Sequence, residues 1–165
     1  MINQLYSVLQ QSFSLLQKHS LPQQKDDFNA FCNWLNQQGS HLQYVELAEY
    51  YDNGLEQCLL LQQHDVDIDA LQNKIDVDIA TVLSSQDQVL EQDQQERYID
   101  LCDTAFDSLF DNIKAVADPI GLKLLVVMRE HPYWMVVPNR DEQVQKLIQA
   151  FNYVFAKDKM FLVEH

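Results

Sequence analysis

The sequence predicts an α+β fold, mainly helical over its N-terminal two-thirds and then a small antiparallel hairpin or three-stranded sheet with a C-terminal helix. Three observations carry that expectation. Apolar residues recur at three- and four-residue steps as far as Ala117. Short β-branched and aromatic runs follow the turn signal "DPIG". A helix-start signal, "NRDE", then separates those runs from a closing "MFLVE".

Ile2, Leu5, Val8, Leu9, Leu15 and Leu16 set the rhythm of a first helix that ends near "HSLPQQ". Phe28, Phe31, Trp34 and Leu35 share one face of a second, with Gly39 placed to stop it. "LQYVELAEYY" and "LEQCLLLQQ" read as helices separated by "DNG". A hairpin through Asn53-Gly54 is the alternative, so residues 42–63 stay open between helix and strand.

From about Gln88 to Ala117, Ile99, Cys102, Phe106, Leu109, Ile113 and Val116 mark a long amphipathic helix. Pro119 disfavours helix at Asp118, and Gly121 permits the turn that follows. "LKLLVVM" and "YWMVV", separated by "REHP", read as a strand hairpin. Asn139 with Glu142 has capping-box spacing and opens a helix carrying Val144, Leu147, Ile148, Phe151 and Phe155. "MFLVE" is a candidate third strand.

At 165 residues, residues 1–165 fit a single globular domain, and 47% apolar residues with 10% aromatics argue for a packed core. No apolar run approaches the roughly 18 residues that span a bilayer. The opening "MINQLYSVLQQSF" lacks the basic and apolar regions of a signal peptide, and three widely spaced cysteines suggest reduced thiols, so a cytoplasmic protein is expected.

Three glycines leave no P-loop or GxGxxG turn, and neither GxSxG, HExxH nor CxxC occurs. No cofactor is therefore expected, and the chain is not read as an enzyme. A net charge of −14 makes nucleic acid and anionic membranes poor partners and a basic protein a good one.

"HDVDIDALQNKIDVD" places Asp65, Asp67, Asp69 and Asp76 at positions 1, 3, 5 and 12 of a calcium-loop window. The departures outweigh the matches. Ala70 stands where the loop needs Gly, Asp76 has a shorter arm than the usual Glu, and Val66 and Ile68 are apolar. The preferred account is two Asp-capped helix starts, "DIDALQNKI" and "DVDIATVLSS". A divalent-metal module or metal-dependent enzyme built on His64, Asp65, Asp67 and Asp69 is the alternative.

Charge is concentrated downstream. Between Asp65 and Asp118 stand 14 acids against Lys74, Arg97 and Lys114, a local balance of −11. Asp93, Glu96, Asp100, Asp103, Asp107 and Asp111 follow at gaps of three or four, so on one helix they form a single row. Five neighbouring like-charge pairs cost on the order of 1–2 kcal/mol. A row kept at that cost is either a solvated face or a binding face for a cationic surface.

Weaker candidates remain. Arg129, Glu130 and His131 fall at the expected hairpin tip beside Tyr133 and Trp134, and there Arg129, His131 and Trp134 are either a secondary recognition spot or, in the preferred account, a plain turn with Trp134 in the core. The five histidines are dispersed, and a Cys-His nucleophile needs Cys58 or Cys102 beside one of them in space. The functional expectation is an acidic interaction protein, in its sharpest form a bacterial immunity-type inhibitor that masks a basic toxin. A self-associating structural or accessory protein, monomer or homodimer, is the further alternative.

Overall fold

A computed structural model describes residues 1–37, 39–46, 52–86, 94–129 and 131–165, with the backbone alone for residues 85, 86 and 94–100. Helix α1 (Ile2–Ser12) is followed by a 3-10 turn over Ser14–Lys18, then by α2 (Phe28–Leu35). Strand β1 is the dipeptide Gln43–Tyr44. Helices α3 (Leu59–Gln63), α4 (Ile68–Gln86) and α5 (Gln94–Ala117) come next. Strands β2 (Leu122–Met128) and β3 (Tyr133–Pro138), helix α6 (Asp141–Phe155) and strand β4 (Phe161–Glu164) complete the chain.

This is the α+β architecture the sequence predicts, with one enlargement: among the described residues the antiparallel sheet has four strands, in the order β1-β3-β2-β4. The added strand lies in the segment that the sequence leaves open between helix and strand. Gln43 and Tyr44 pair with Trp134 and Tyr133, and Glu46 exchanges backbone hydrogen bonds with Asp52 at 2.8 and 3.0 Å. Residues 47–51 lie outside the described residues. Gly54 adopts φ 75°, and a Cβ there would sit 2.6 Å from Gln43 Cβ, so the chain passes too close to β1 for any side chain.

Most of β2 and β3 is buried on both faces, which explains why these strands read as nearly unbroken apolar runs. Leu125, Val127, Met135 and Val137 point to the layer of α1, α2 and α6, where they meet Leu9, Phe31, Leu147 and Phe151. Leu124, Val126, Trp134 and Val136 point the other way, toward Leu61, Ile75, Leu109 and Ile113 on α3, α4 and α5. No helix among the described residues is long and apolar enough to cross a membrane.

Three local expectations are corrected. Helix α2 ends at Leu35, ahead of Gly39, because the Asn36 side chain accepts from the backbone N–H groups of His41 and Leu42, both at 2.9 Å, and turns the chain first. The Asn139–Glu142 capping box does not form: Arg140 is the N-cap of α6 with no side-chain cap bond, and Glu142 pairs with Lys146 one turn on. The second Asp-capped start at Asp76 is the middle of α4, one continuous helix from Ile68 to Gln86.

Candidate interaction surface

Helix α5 gives the acidic row its frame. It runs unbroken from Gln94 to Ala117 because its apolar face meets both α4 and the sheet, with Leu109, Phe110, Ile113 and Ala117 buried. Five of the six acids, Glu96, Asp100, Asp103, Asp107 and Asp111, belong to that helix, and Asp93 lies outside the described residues. Of Glu96 and Asp100 only the backbone is described. Asp103, Asp107 and Asp111 are exposed.

The base of the α4–α5 pair is fastened by a buried amide. Asn112 Nδ2 donates to Asp78 Oδ2 and to the Ser108 carbonyl, each at 2.8 Å, while its Oδ1 accepts from Lys74 Nζ. Lys74 also reaches Asp78 at 2.8 Å. The hydrogen bond from Lys74, reinforced by Asn112, holds the Asp78 carboxyl below the usual carboxylate range. Lys74 is therefore engaged away from the acidic row.

At the C-terminal end of the row, His165 joins β4 to α5. Its Nε2 lies 2.9 Å from Asp111 Oδ1, and because a carboxylate only accepts, that nitrogen carries the hydrogen. Lys114, one turn on, donates to the His165 backbone oxygen. Asp103 and Asp107 have no ion-pair partner among the described residues.

Beside this pair of aspartates runs a groove of about 660 Å³. Phe106 and Phe110 of α5 form one wall, with ring centroids 6.3 Å apart. Val126, Met128 and Val163 form the floor. Asp103 and Asp107 stand on one rim, and Arg129 and His165 lie at the margins. The floor is a product of strand register: β4 pairs with β2 as Val126↔Val163 and Met128↔Phe161, which puts those side chains on the same face. Met128 is 54% exposed, Phe161 45% and Val163 37%, large values for apolar residues on the face of a sheet. Nothing in the sequence marked Met128 or Val163, because their adjacency depends on that register.

The outer edge of β4 is partly closed. Asn152 Oδ1 accepts from the Leu162 N–H at 2.6 Å, and its Nδ2 donates to the Leu162 carbonyl at 3.1 Å. One side chain thus occupies the backbone N–H and carbonyl that a further strand would pair with there.

The secondary recognition spot separates into three fates. Trp134 is fully buried, and its indole N–H donates to the Asn53 carbonyl at 2.7 Å, so it belongs to the core and offers no surface for recognition. Arg129 is exposed, its guanidinium carbon 5.6 Å from the Tyr133 ring centroid and 5.8 Å from that of Phe28. His131 lies 6.1 Å from the Tyr44 ring, and Glu130 is outside the described residues.

The four aspartates of the calcium-loop window do not converge. Asp67 Oδ1 accepts from the Ala70 N–H at 2.9 Å, the N-cap bond expected of a helix start. Asp69 lies in the first turn of α4, and Asp76 accepts from Gln72 at 2.7 Å. Asp65 takes φ 56° in the turn after α3. Among the described residues no three His, Cys, Asp or Glu side chains are grouped to hold a metal ion. A loop cannot wrap an ion when most of its length is helix.

Burial pushes the Cys58 thiol up to about 11 and the Cys32 thiol up to about 12, which opposes the thiolate that nucleophilic attack requires. The chain matches no family model, no curated protein and no solved structure.

Proposed function

We propose that this chain acts by binding a basic protein, covering a cationic surface of its partner with the acidic face of α5. Its sharpest form is an inhibitor of the bacterial immunity type that masks a basic toxin. One observation carries the reading: Asp103 and Asp107 are exposed on an unbroken helix without an ion-pair partner among the described residues, while Lys114 is drawn aside to His165. Carboxylates held in a fixed row on a rigid rod keep their spacing before a partner arrives, so little ordering entropy is lost on association. The net charge of −14 adds long-range attraction for a cationic surface and speeds encounter at low salt.

The experiment is a charge reversal. Asp100, Asp103 and Asp107 are changed together to Lys, and binding of an oligolysine peptide is measured by isothermal titration at low ionic strength. Loss of the binding heat is the expected outcome, with circular dichroism unchanged. Equal heats for the wild-type and reversed chains would overturn the reading.

A further inference from the structure

We infer that the groove between α5 and the uncovered face of β4 receives an amphipathic helix of the basic partner, with an apolar stripe on Met128 and Val163 and a lysine- or arginine-bearing flank against Asp103 and Asp107. This deepens the reading above and rests on it. The two faces of the sheet are covered unequally at the β4 end. On one side Leu162 is buried in the layer built from α1, α2 and α6. On the other side Met128 and Val163 line the groove beside α5 and Phe161 shares their face of the sheet, all three with much of their area exposed. The groove therefore has the place of one more helix, alongside α5.

Charge complementarity selects the occupant. An acidic rim over an apolar floor fits a segment that is apolar on one stripe and cationic on the adjoining flank. A second copy of this chain, at −14, would bring further negative charge to a negative rim. Strand addition is disfavoured at Leu162, because Asn152 already holds both backbone polar atoms of that residue. The groove is also set before binding. Asp111 and Lys114 hold His165 against α5, and the Phe110 ring lies 5.6 Å from the imidazole. A preformed slot keeps the ordering cost on the partner's side.

The probe is a fluorescein-labelled peptide of leucine and lysine patterned as an amphipathic helix, compared by anisotropy with a scrambled peptide of the same composition. The patterned peptide should bind the wild-type chain more tightly. Met128→Gln with Val163→Thr, which alters no charge and changes two exposed side chains, should weaken it about tenfold. Asp103→Asn with Asp107→Asn should also weaken it and flatten its salt dependence.

If both peptides bind alike and only the aspartate pair matters, the groove assignment falls and the acidic-face reading stands. If neither pair of changes matters, both fall. Sedimentation provides a separate check: a wild-type dimer that dissociates with Met128→Gln and Val163→Thr would mean that a second copy fills the groove, overturning the proposal.

Discussion

Asn152 and Leu162 form a two-way bond in which one side-chain amide accepts from the backbone N–H and donates to the backbone carbonyl of the same residue, at 2.6 and 3.1 Å. The asparagine projects from α6 and imitates a neighbouring strand at the edge of β4. Edge strands with free peptide groups invite pairing between molecules, so the bond joins α6 to the sheet and limits that pairing. Asn152→Ala should cost about 1–2 kcal/mol in urea denaturation. It should also introduce concentration-dependent association, read by sedimentation velocity. A variant of unchanged stability that stays monomeric would remove both roles.

Asp67 is a helix cap in this fold, and the cap role predicts a loss that is indifferent to metal. Asp67→Ala should lower stability by about 1 kcal/mol, the ordinary cost of losing an Asp N-cap. Calcium should not change that difference. A melting temperature raised by calcium in the wild type and not in the variant would restore the metal-loop reading of Asp65, Asp67, Asp69 and Asp76.

His41 makes stability depend on pH. Its ring stacks on Phe13 with centroids 4.2 Å apart, only 6% of the residue is exposed, and neither ring nitrogen has a hydrogen-bond partner among the described residues. Burial lowers its pKa from 6.5 to about 4. The unfolded chain therefore takes up a proton that the folded chain refuses. This contribution favours the fold fully above pH 6.5 and declines as pH falls toward 4, by about 2 kcal/mol between pH 7 and pH 5. His41→Phe should abolish that part of the slope, measured by urea denaturation at the two pH values. An unchanged slope would place the sensitivity elsewhere.

The fold was legible where the pattern is local. The period of α5 follows from Leu109, Ile113 and their neighbours meeting the core at successive turns, and the β2–β3 hairpin follows from two β-rich runs around a short turn. Strand β1 was not legible: two residues carry no period, and Gln43 and Tyr44 are held by pairing with Trp134 and Tyr133 far along the chain. The acidic half of the candidate surface could be read from spacing alone because a helix turns sequence steps into a face. Its apolar half could not, since Met128 and Val163 become neighbours only through the register of β4 on β2. Asn152 was invisible for the same reason.

Trp134 tests the distinction between core and surface directly. Its N–H is the donor to a buried backbone carbonyl, that of Asn53, at 2.7 Å. Trp134→Phe keeps most of the apolar volume and removes that donor. It should cost about 1–3 kcal/mol of stability. Affinity for the oligolysine peptide should remain unchanged, because the side chain never reaches the surface. A loss of affinity with stability intact would return Trp134 to the recognition surface.

Asp103 and Asp107 make opposing demands on α5. Each stands three or four residues from other acids of the row, and neither is compensated by an ion pair among the described residues. Asp103→Asn with Asp107→Asn removes three like-charge neighbours, 100–103, 103–107 and 107–111, which should stabilise the helix by up to about 1 kcal/mol at low salt. The gain should fade as salt rises and screens the repulsion in the wild type. Binding of the oligolysine peptide should move the other way and weaken. A solvated face kept only for solubility would gain the stability without losing the affinity, and that single comparison, melting temperature and titration on the same two proteins, separates it from a binding face.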